Sequence, residues 1–239
     1  NNIIQPRIVY STTALDKQTI TGGLEYYRES LFSDKFETGV KENKSQWYAT
    51  AFLQDDWSIN KQFSVIAGLR CDYHEKYGTN LTPKASVMYK IFPFTVRFNY
   101  ARGYRSPSIK ELYMNWDHLG MFWIYGNSKL KPETNNYISL SGEYVNSWIN
   151  INANVYSNWF RNKIEGMWSN DQTELHYINI GKSRLAGVET MCKIQINRHI
   201  NVHGAYNYLY TSKDADGVRL SSSSPHSGNI RAEYNTRIP

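Results

Sequence analysis

Cysteine is scarce: Cys71 and Cys192 are the only two in 239 residues. Two thiols make neither a disulfide framework nor a zinc-ligand spacing. No adjacent His and acid marks either one as a catalytic thiol. Long apolar runs are also missing. Without a stretch of about 18 apolar residues a membrane-spanning helix is excluded, but a membrane-spanning barrel is not, because barrel strands alternate. The net charge is +6, yet no five basic residues follow one another, so a nucleic-acid stripe is not supported. The residues that open the given sequence, Asn1-Asn2-Ile3-Ile4-Gln5-Pro6, do not have a signal-peptide pattern. No Gly-rich phosphate loop follows a strand, no nucleophile elbow occurs, and no Ser/His/acid cluster can be assembled, so an enzyme is not expected. Asp214-Ala215-Asp216-Gly217 opens like a calcium loop but lacks the later acidic ligand, and it reads as a turn.

What the chain has in excess is aromatic residues. They make up 15%, with 19 Tyr and 7 Trp. Tyr and Trp rings are apolar at one end and polar at the other, which suits a membrane interface. Hydrophobicity alternates with period 2 nearly throughout. In 63–74, Phe63, Val65, Ala67, Leu69, Cys71 and Tyr73 share one face, while Ser64, Ile66, Gly68, Arg70, Asp72 and His74 share the other. In 148–158, Ile149, Ile151, Ala153 and Val155 oppose Asn150, Asn152, Asn154, Tyr156 and Asn158. A row of amides is costly to bury unless every one is hydrogen-bonded. The asparagine face therefore meets water or a polar filling, and the apolar face meets lipid. Both cysteines fall on apolar faces, as small fillers.

The alternation predicts strands near 1–12, 18–31, 45–57, 62–77, 80–91, 94–103, 134–145, 148–167, 174–196, 199–212 and 226–237. The connections sort by side. Those near 13–17, 58–61, 92–93, 146–147 and 197–198 are short. Those near 32–44, 104–133, 168–173 and 213–225 are longer, with 78–79 the exception. Short turns at one end and long loops at the other are the pattern of a membrane barrel. The expected fold is thus all-β, an antiparallel transmembrane β-barrel of which about eleven strands are present. An open sheet in lipid leaves edge amides unpaired, so residues 1–239 read as a partial barrel domain. Basic residues near the extracellular rim would suit anionic lipid headgroups. A soluble β-sandwich, such as a carbohydrate-binding or adhesin module, is the competing architecture.

Four segments carry a family resemblance. Gly103-Tyr104-Arg105-Ser106-Pro107-Ser108 ends one strand, and Leu130-Lys131-Pro132-Glu133, with Glu143 further on, opens the next. Ala51-Phe52-Leu53-Gln54-Asp55-Asp56-Trp57 ends a strand in an acidic pair and Trp. Tyr177-Ile178-Asn179-Ile180-Gly181-Lys182 precedes Gly187-Val188-Glu189. In this order they resemble the barrel of TonB-dependent outer-membrane receptors. The resemblance implies a 22-stranded barrel with a plugged lumen in the bacterial outer membrane. It also implies outer-membrane lipid, a plug domain and the TonB complex as partners, the last two through segments absent here along with the closing strands. A surface lipoprotein is a further partner, and nucleic acid is not one. Asp55 and Asp56 would then face the plug at the periplasmic rim.

Local chemistry says more about the boxes. Ser106 before Pro107 suits a helix start, and Ser108-Ile109-Lys110-Glu111 has the capping-box pattern, so a short helix is expected over 107–114. Arg102 and Arg105 are expected to reach lumen carboxylates such as Glu143 or Glu189. The loop 104–133 is the richest candidate for ligand contact: Tyr113, Trp116, Asp117, His118, Met121, Phe122, Trp123 and Tyr125. Flat rings offer contact area to a large ringed ligand, but they would equally pack the loop on itself.

The resemblance makes the ligand a scarce metal chelate: cobalamin, haem or a ferric siderophore. Oligosaccharide or peptide uptake is the alternative within the family. No resident cofactor or metal is expected. Haem receptors of the family place an axial His between such boxes, near an Asn-Pro-Asn/Asp-Leu element. Here His118 occupies that interval, but Asn127-Ser128-Lys129-Leu130 departs from the element. His74 and His176 are the other histidines expected near the extracellular end.

Overall fold

The computed structural model describes residues 1–13, 15–212 and 224–236. The Asp214–Gly217 turn lies outside them. All strands belong to one sheet. In chain order they are β1 (Asn2–Ile4), β2 (Arg7–Thr12), β3 (Gln18–Ser33), β4 (Glu42–Ser58), β5 (Phe63–His74), β6 (Gly78–Ile91) and β7 (Phe94–Arg105). A short helix α1 (Ile109–Tyr113) and two three-residue strands, β8 (Asn115–Asp117) and β9 (Trp123–Tyr125), follow. The wall resumes with β10 (Glu133–Val145), β11 (Ile149–Trp168), β12 (Glu174–Gln195), β13 (Ile200–Thr211) and β14 (His226–Tyr234).

From β3 onward each wall strand pairs antiparallel with the next, which is the meander expected from the alternation. The strand expected over 1–12 is interrupted. β1 and β2 both pair with β3, Ile4 opposite Arg28 and Arg7 opposite Glu25, so the register is unbroken. The gap falls at Gln5-Pro6, because proline has no N–H to give the ladder. Its carbonyl is still used, accepting from Tyr26 N at 3.1 Å. Among the described residues the sheet is open, with β1, β2 and β14 at its edges.

Register fixes the two faces. Leu53 lies opposite Leu69, Phe98 opposite Leu140, and Leu140 opposite Val155, which in turn opposes Val188. These residues are left open: Leu53 is 60% exposed, Leu140 53% and Val155 55%. A sandwich would bury such a stripe against a second sheet, and none is packed here. Cys71, opposite Leu81, and Cys192, opposite Ile151, sit on this same outward face.

The inward face is a ladder of polar contacts that crosses from strand to strand. Ser86 Oγ donates to Asn99 Oδ1 (2.7 Å), Asn99 Nδ2 to Ser139 Oγ (3.0 Å), and Asn135 Nδ2 to Asn158 Oδ1 (2.7 Å). Asn154 Nδ2 reaches Glu189 (3.2 Å) and Asn150 Nδ2 reaches Glu143 (3.3 Å). Asn150, Asn154 and Asn158 of the asparagine row thus keep hydrogen-bond partners on this polar face. The few buried apolar side chains, Phe36, Ile109, Leu112, Leu130, Ile164 and Ile180, all gather at the long-loop end. That is where packing, and not lipid, must hold the chain.

Candidate ligand-binding face

The floor of the long loop is built by the two boxes. Ser108 is the N-cap of α1: its hydroxyl accepts from Glu111 N at 3.2 Å, and Glu111 Oε2 accepts from Ser108 N at 2.8 Å. The cap is therefore Ser108, not Ser106, and the helix is shorter than 107–114. Pro107 is fully buried just before it. Arg105 does not reach Glu143 or Glu189. Its guanidinium donates to both Glu111 oxygens (2.9 and 3.0 Å) and to Glu133 (3.4 Å), its direct cross-strand partner. The physical reason is position, since Glu143 lies at the far end of β10, opposite Thr95 and Asn152. Glu133 also accepts from Ile164 N at 2.9 Å, so one carboxylate joins β7, β10 and β11.

Leu130, Leu112 and Ile164 form the small core beneath the loop, with Tyr113 and Tyr177 packed on it. Beside Pro132, Lys131 is held to β12 through Asn179, whose side chain accepts from Lys131 N (2.8 Å) and donates to Lys131 O (2.9 Å). Tyr77, in the turn after β5, donates to Leu130 O at 3.2 Å. Burial pushes its phenol up to about 12, so it stays protonated and keeps that bond. Of the box residues, Arg105, Pro107, Leu130 and Glu133 meet at this floor, Tyr104 lines the inward cleft beside it, and Glu143 lies far from it.

Above it the aromatic residues fall into two stacks. In the first, Trp116 meets His118 edge-on at 5.0 Å, His118 stacks on Phe122 at 4.8 Å, and Phe122 meets Trp168 at 4.8 Å. In the second, Trp123 stacks on Tyr125 at 6.2 Å, and Tyr125 on His176 at 4.8 Å. Cations frame the group. Lys35 Nζ lies 4.3 Å above Trp116, and Lys44 and Lys76 lie 5.3 and 5.7 Å from the Tyr113 ring. Asp117 is turned to local use, accepting from Gly120 N at 2.9 Å. Met121 and Trp123 remain open, at 64% and 47% exposure.

The three histidines do not meet. His118 and His176 belong to separate stacks, and His176 Nε2 contacts Glu174 at 2.8 Å. His74 is buried on the inward face of β5, with Nδ1 accepting from Lys76 N at 3.1 Å. Among the described residues no group of three or more His, Cys, Asp or Glu is gathered around one point.

Sequence reasoning did not name Trp168, Lys35, Lys44 or Lys76 for this face. It also left the loop without strands, whereas β8 and β9 pair with each other, and β9 runs parallel to Glu174–His176 of β12. The aromatic and β-branched triplet Trp123-Ile124-Tyr125 was the available signal. Below the loop, on the inward face, a cleft of about 390 Å³ is lined by Tyr48, Arg70, Asp72, His74 and Arg105 among others. Arg70 there clamps Asp72 at 2.8–3.1 Å. Alternate spacing of Arg70, Asp72 and His74 on the polar face was the sign of it.

Comparison with known proteins gives a consistent result. The family described as TonB dependent receptor-like, beta-barrel matches residues 8–238. An iron-regulated outer membrane virulence protein of Vibrio cholerae is 25% identical over 218 residues, covering 83% of this chain and 33% of the relative. The vitamin B12 transporter BtuB of the same species is 30% identical over 177 residues, 73% of this chain and 26% of the relative. Among solved structures, a mutant ferric enterobactin receptor of Pseudomonas aeruginosa aligns with a TM-score of 0.81 at 18% identity, over 99% of this chain and 39% of that one. The siderophore receptor PirA of P. aeruginosa aligns at 0.77 and 19% identity, over 97% and 42%. The chain spans about a third of the length of the curated relatives it matches.

Proposed function

This chain belongs to the TonB-dependent receptor β-barrel family of the bacterial outer membrane, and from that premise we propose that it is the wall and ligand-contacting rim of a receptor importing a scarce metal chelate. Cobalamin, haem and ferric siderophores are the chelates in question. The eleven wall strands amount to half of a 22-stranded barrel. Closing strands would pair the open edges at β1, β2 and β14, since unpaired edge amides are not tolerated in lipid. A plug domain would pack on the inward polar ladder, and energy delivered through TonB would release the ligand inward. These partners would be supplied by segments other than the one described.

The observation that carries the reading is the stacked face of Trp116, His118, Phe122, Trp123 and Tyr125 at the long-loop end, floored by Tyr113 and flanked by Met121 and three lysines. The exposed Trp123 ring beside half-buried neighbours suits a large ringed ligand, and ammonium groups suit an anionic one. Relatives of the chain include a vitamin B12 transporter and a ferrienterobactin receptor. The ligand test is tryptophan quenching of the full receptor, titrated with a ferric catecholate, cyanocobalamin and haem in turn. One of the three should bind, and Trp116→Ala with Phe122→Ala should weaken it at least tenfold. Unchanged affinity in the double variant would move the site off this loop. For haem, a Soret titration of His118→Ala decides whether that imidazole ligates iron.

A further inference from the structure

The outward face of β11 and β12 changes character along its length. Rising from the short-turn end, β11 presents Ile149, Ile151, Ala153 and Val155, then Ser157, Trp159 and Arg161. β12 presents Val188 and Ala186, then Arg184 and Lys182, at matching heights. The order is apolar, then aromatic, then basic, as at a bilayer boundary. Trp159 directly opposes Arg184, and Arg161 directly opposes Lys182.

That second pair is two like charges facing each other across a ladder, an arrangement that is destabilising by itself. Both side chains are exposed. Among the described residues, neither has a carboxylate partner and neither does Arg184. The nearest acid on the same strand is already engaged, because Glu165 pairs with Lys163. Arg184 is held in place, its Nε donating to Ser157 Oγ at 2.8 Å and its guanidinium lying 5.3 Å from the Trp159 ring centre. Asn136, Trp159, Arg161, Lys182, Arg184 and Ser212 line a cavity of about 520 Å³ at this level.

We propose that this cavity is a binding site for the phosphate group of an outer-leaflet glycolipid. Three cations, two of them planar guanidinium forks, converge where a headgroup would lie, and an oxyanion removes the Arg161–Lys182 repulsion. Acyl chains would run down the apolar stripe from Val155 and Val188 toward Ile151, so the lipid is selected over a free phosphate. The inference rests on the outer-membrane location and the facing of the strands, not on which chelate is carried.

The test is native mass spectrometry of the purified full receptor with lipid A, its dephosphorylated form, and inorganic phosphate. Each basic residue near an anionic surface contributes about fivefold in affinity, so the triple variant Arg161→Gln, Lys182→Gln, Arg184→Gln should weaken lipid A binding roughly 100-fold. Dephosphorylated lipid should bind wild type as weakly as lipid A binds the variant. Millimolar inorganic phosphate should displace little. The charge-keeping variant Arg161→Lys, Lys182→Arg, Arg184→Lys should stay within a few-fold of wild type. If the neutral triple variant does not fold, Lys182→Gln alone should lose about fivefold. Lipid A binding unchanged in the neutral variant, or equal binding of the dephosphorylated lipid, overturns the proposal. Displacement by inorganic phosphate at similar affinity reduces it to a bare anion site and overturns the lipid assignment.

Discussion

Val155→Arg should be among the most costly single changes on the membrane face, and its cost can be worked from the register. Ile149 to Trp159 is ten residue steps on β11. At about 3.3 Å per step and a strand tilt near 40°, that is roughly 25 Å along the membrane normal, the height of an outer-membrane apolar band. Val155 lies four steps below Trp159, roughly 10 Å down the normal, close to the midplane. Arginine there costs about 2–4 kcal/mol, a factor of about 30 to 1,000 in the folding equilibrium. Ile151 lies roughly 20 Å below Trp159, near the lower interface, where arginine costs about 0–1 kcal/mol. Asn154 points inward beside Glu189, so Asn154→Arg should cost close to nothing. The assay is urea-titrated folding of the full receptor into vesicles, read by tryptophan fluorescence and heat-modifiable gel mobility. Equal losses for Val155→Arg and Asn154→Arg would refute the facing. Equal losses for Val155→Arg and Ile151→Arg would refute the depth.

Other outcomes follow from particular contacts. Glu111→Ala removes both the capping acceptor and the Arg105 partner, so α1 should lose about 1–2 kcal/mol, seen as faster amide exchange at Leu112 and Met114; Glu111→Gln should lose less. A Cβ on Gly187 would meet Tyr208 O at 2.5 Å and the Tyr156 hydroxyl at 2.7 Å, whereas one on Gly142 meets nothing within 4 Å. Gly187→Ala should therefore destabilise by about 1–3 kcal/mol and Gly142→Ala by much less, measured in the same urea titration. Asp171 is held down to about 2, first by Ser169 and then by Thr173. A lowered carboxyl stabilises above its ordinary value and loses that contribution as pH falls through the folded value, so the turn at 169–173 should loosen between about pH 4 and 2. The Thr173 amide shift should follow that titration and be flat in Asp171→Asn.

The wall was legible because a two-residue period is a local property. FSVIAGLRCDYH and WININANVYSN each state which side chains share a face, and the register then pairs those faces strand by strand. Helix α1 was legible for the same reason, since a capping box is confined to four residues. The Arg105 partner was not. Glu111, Glu133 and Glu143 are all acids near the boxes, and only the three-dimensional height of each on the wall distinguishes them. The stacks of the loop were half legible: the rings could be named, but Trp168 and His176 enter from β11 and β12, some 50 residues away in sequence. The lysines over Trp116 and Tyr113 come from β4, the turn after β5 and the connection before β4, and nothing in their local sequence announces it.

The parallel pairing of Trp123–Tyr125 with Glu174–His176 gives the long loop a consequence of its own. A floppy loop must surrender conformational freedom when it closes on a ligand, at about 1–2 kcal/mol for each backbone residue fixed. Here both ends of the aromatic stretch are already fixed, one by the cap and floor of α1, the other by hydrogen bonds to a wall strand. The ordering cost is met during folding, before any ligand arrives. Association should then be fast and should show a small entropic penalty in calorimetry. Severing the β9–β12 ladder should slow association and weaken binding even though none of the rings proposed to meet the ligand has been changed.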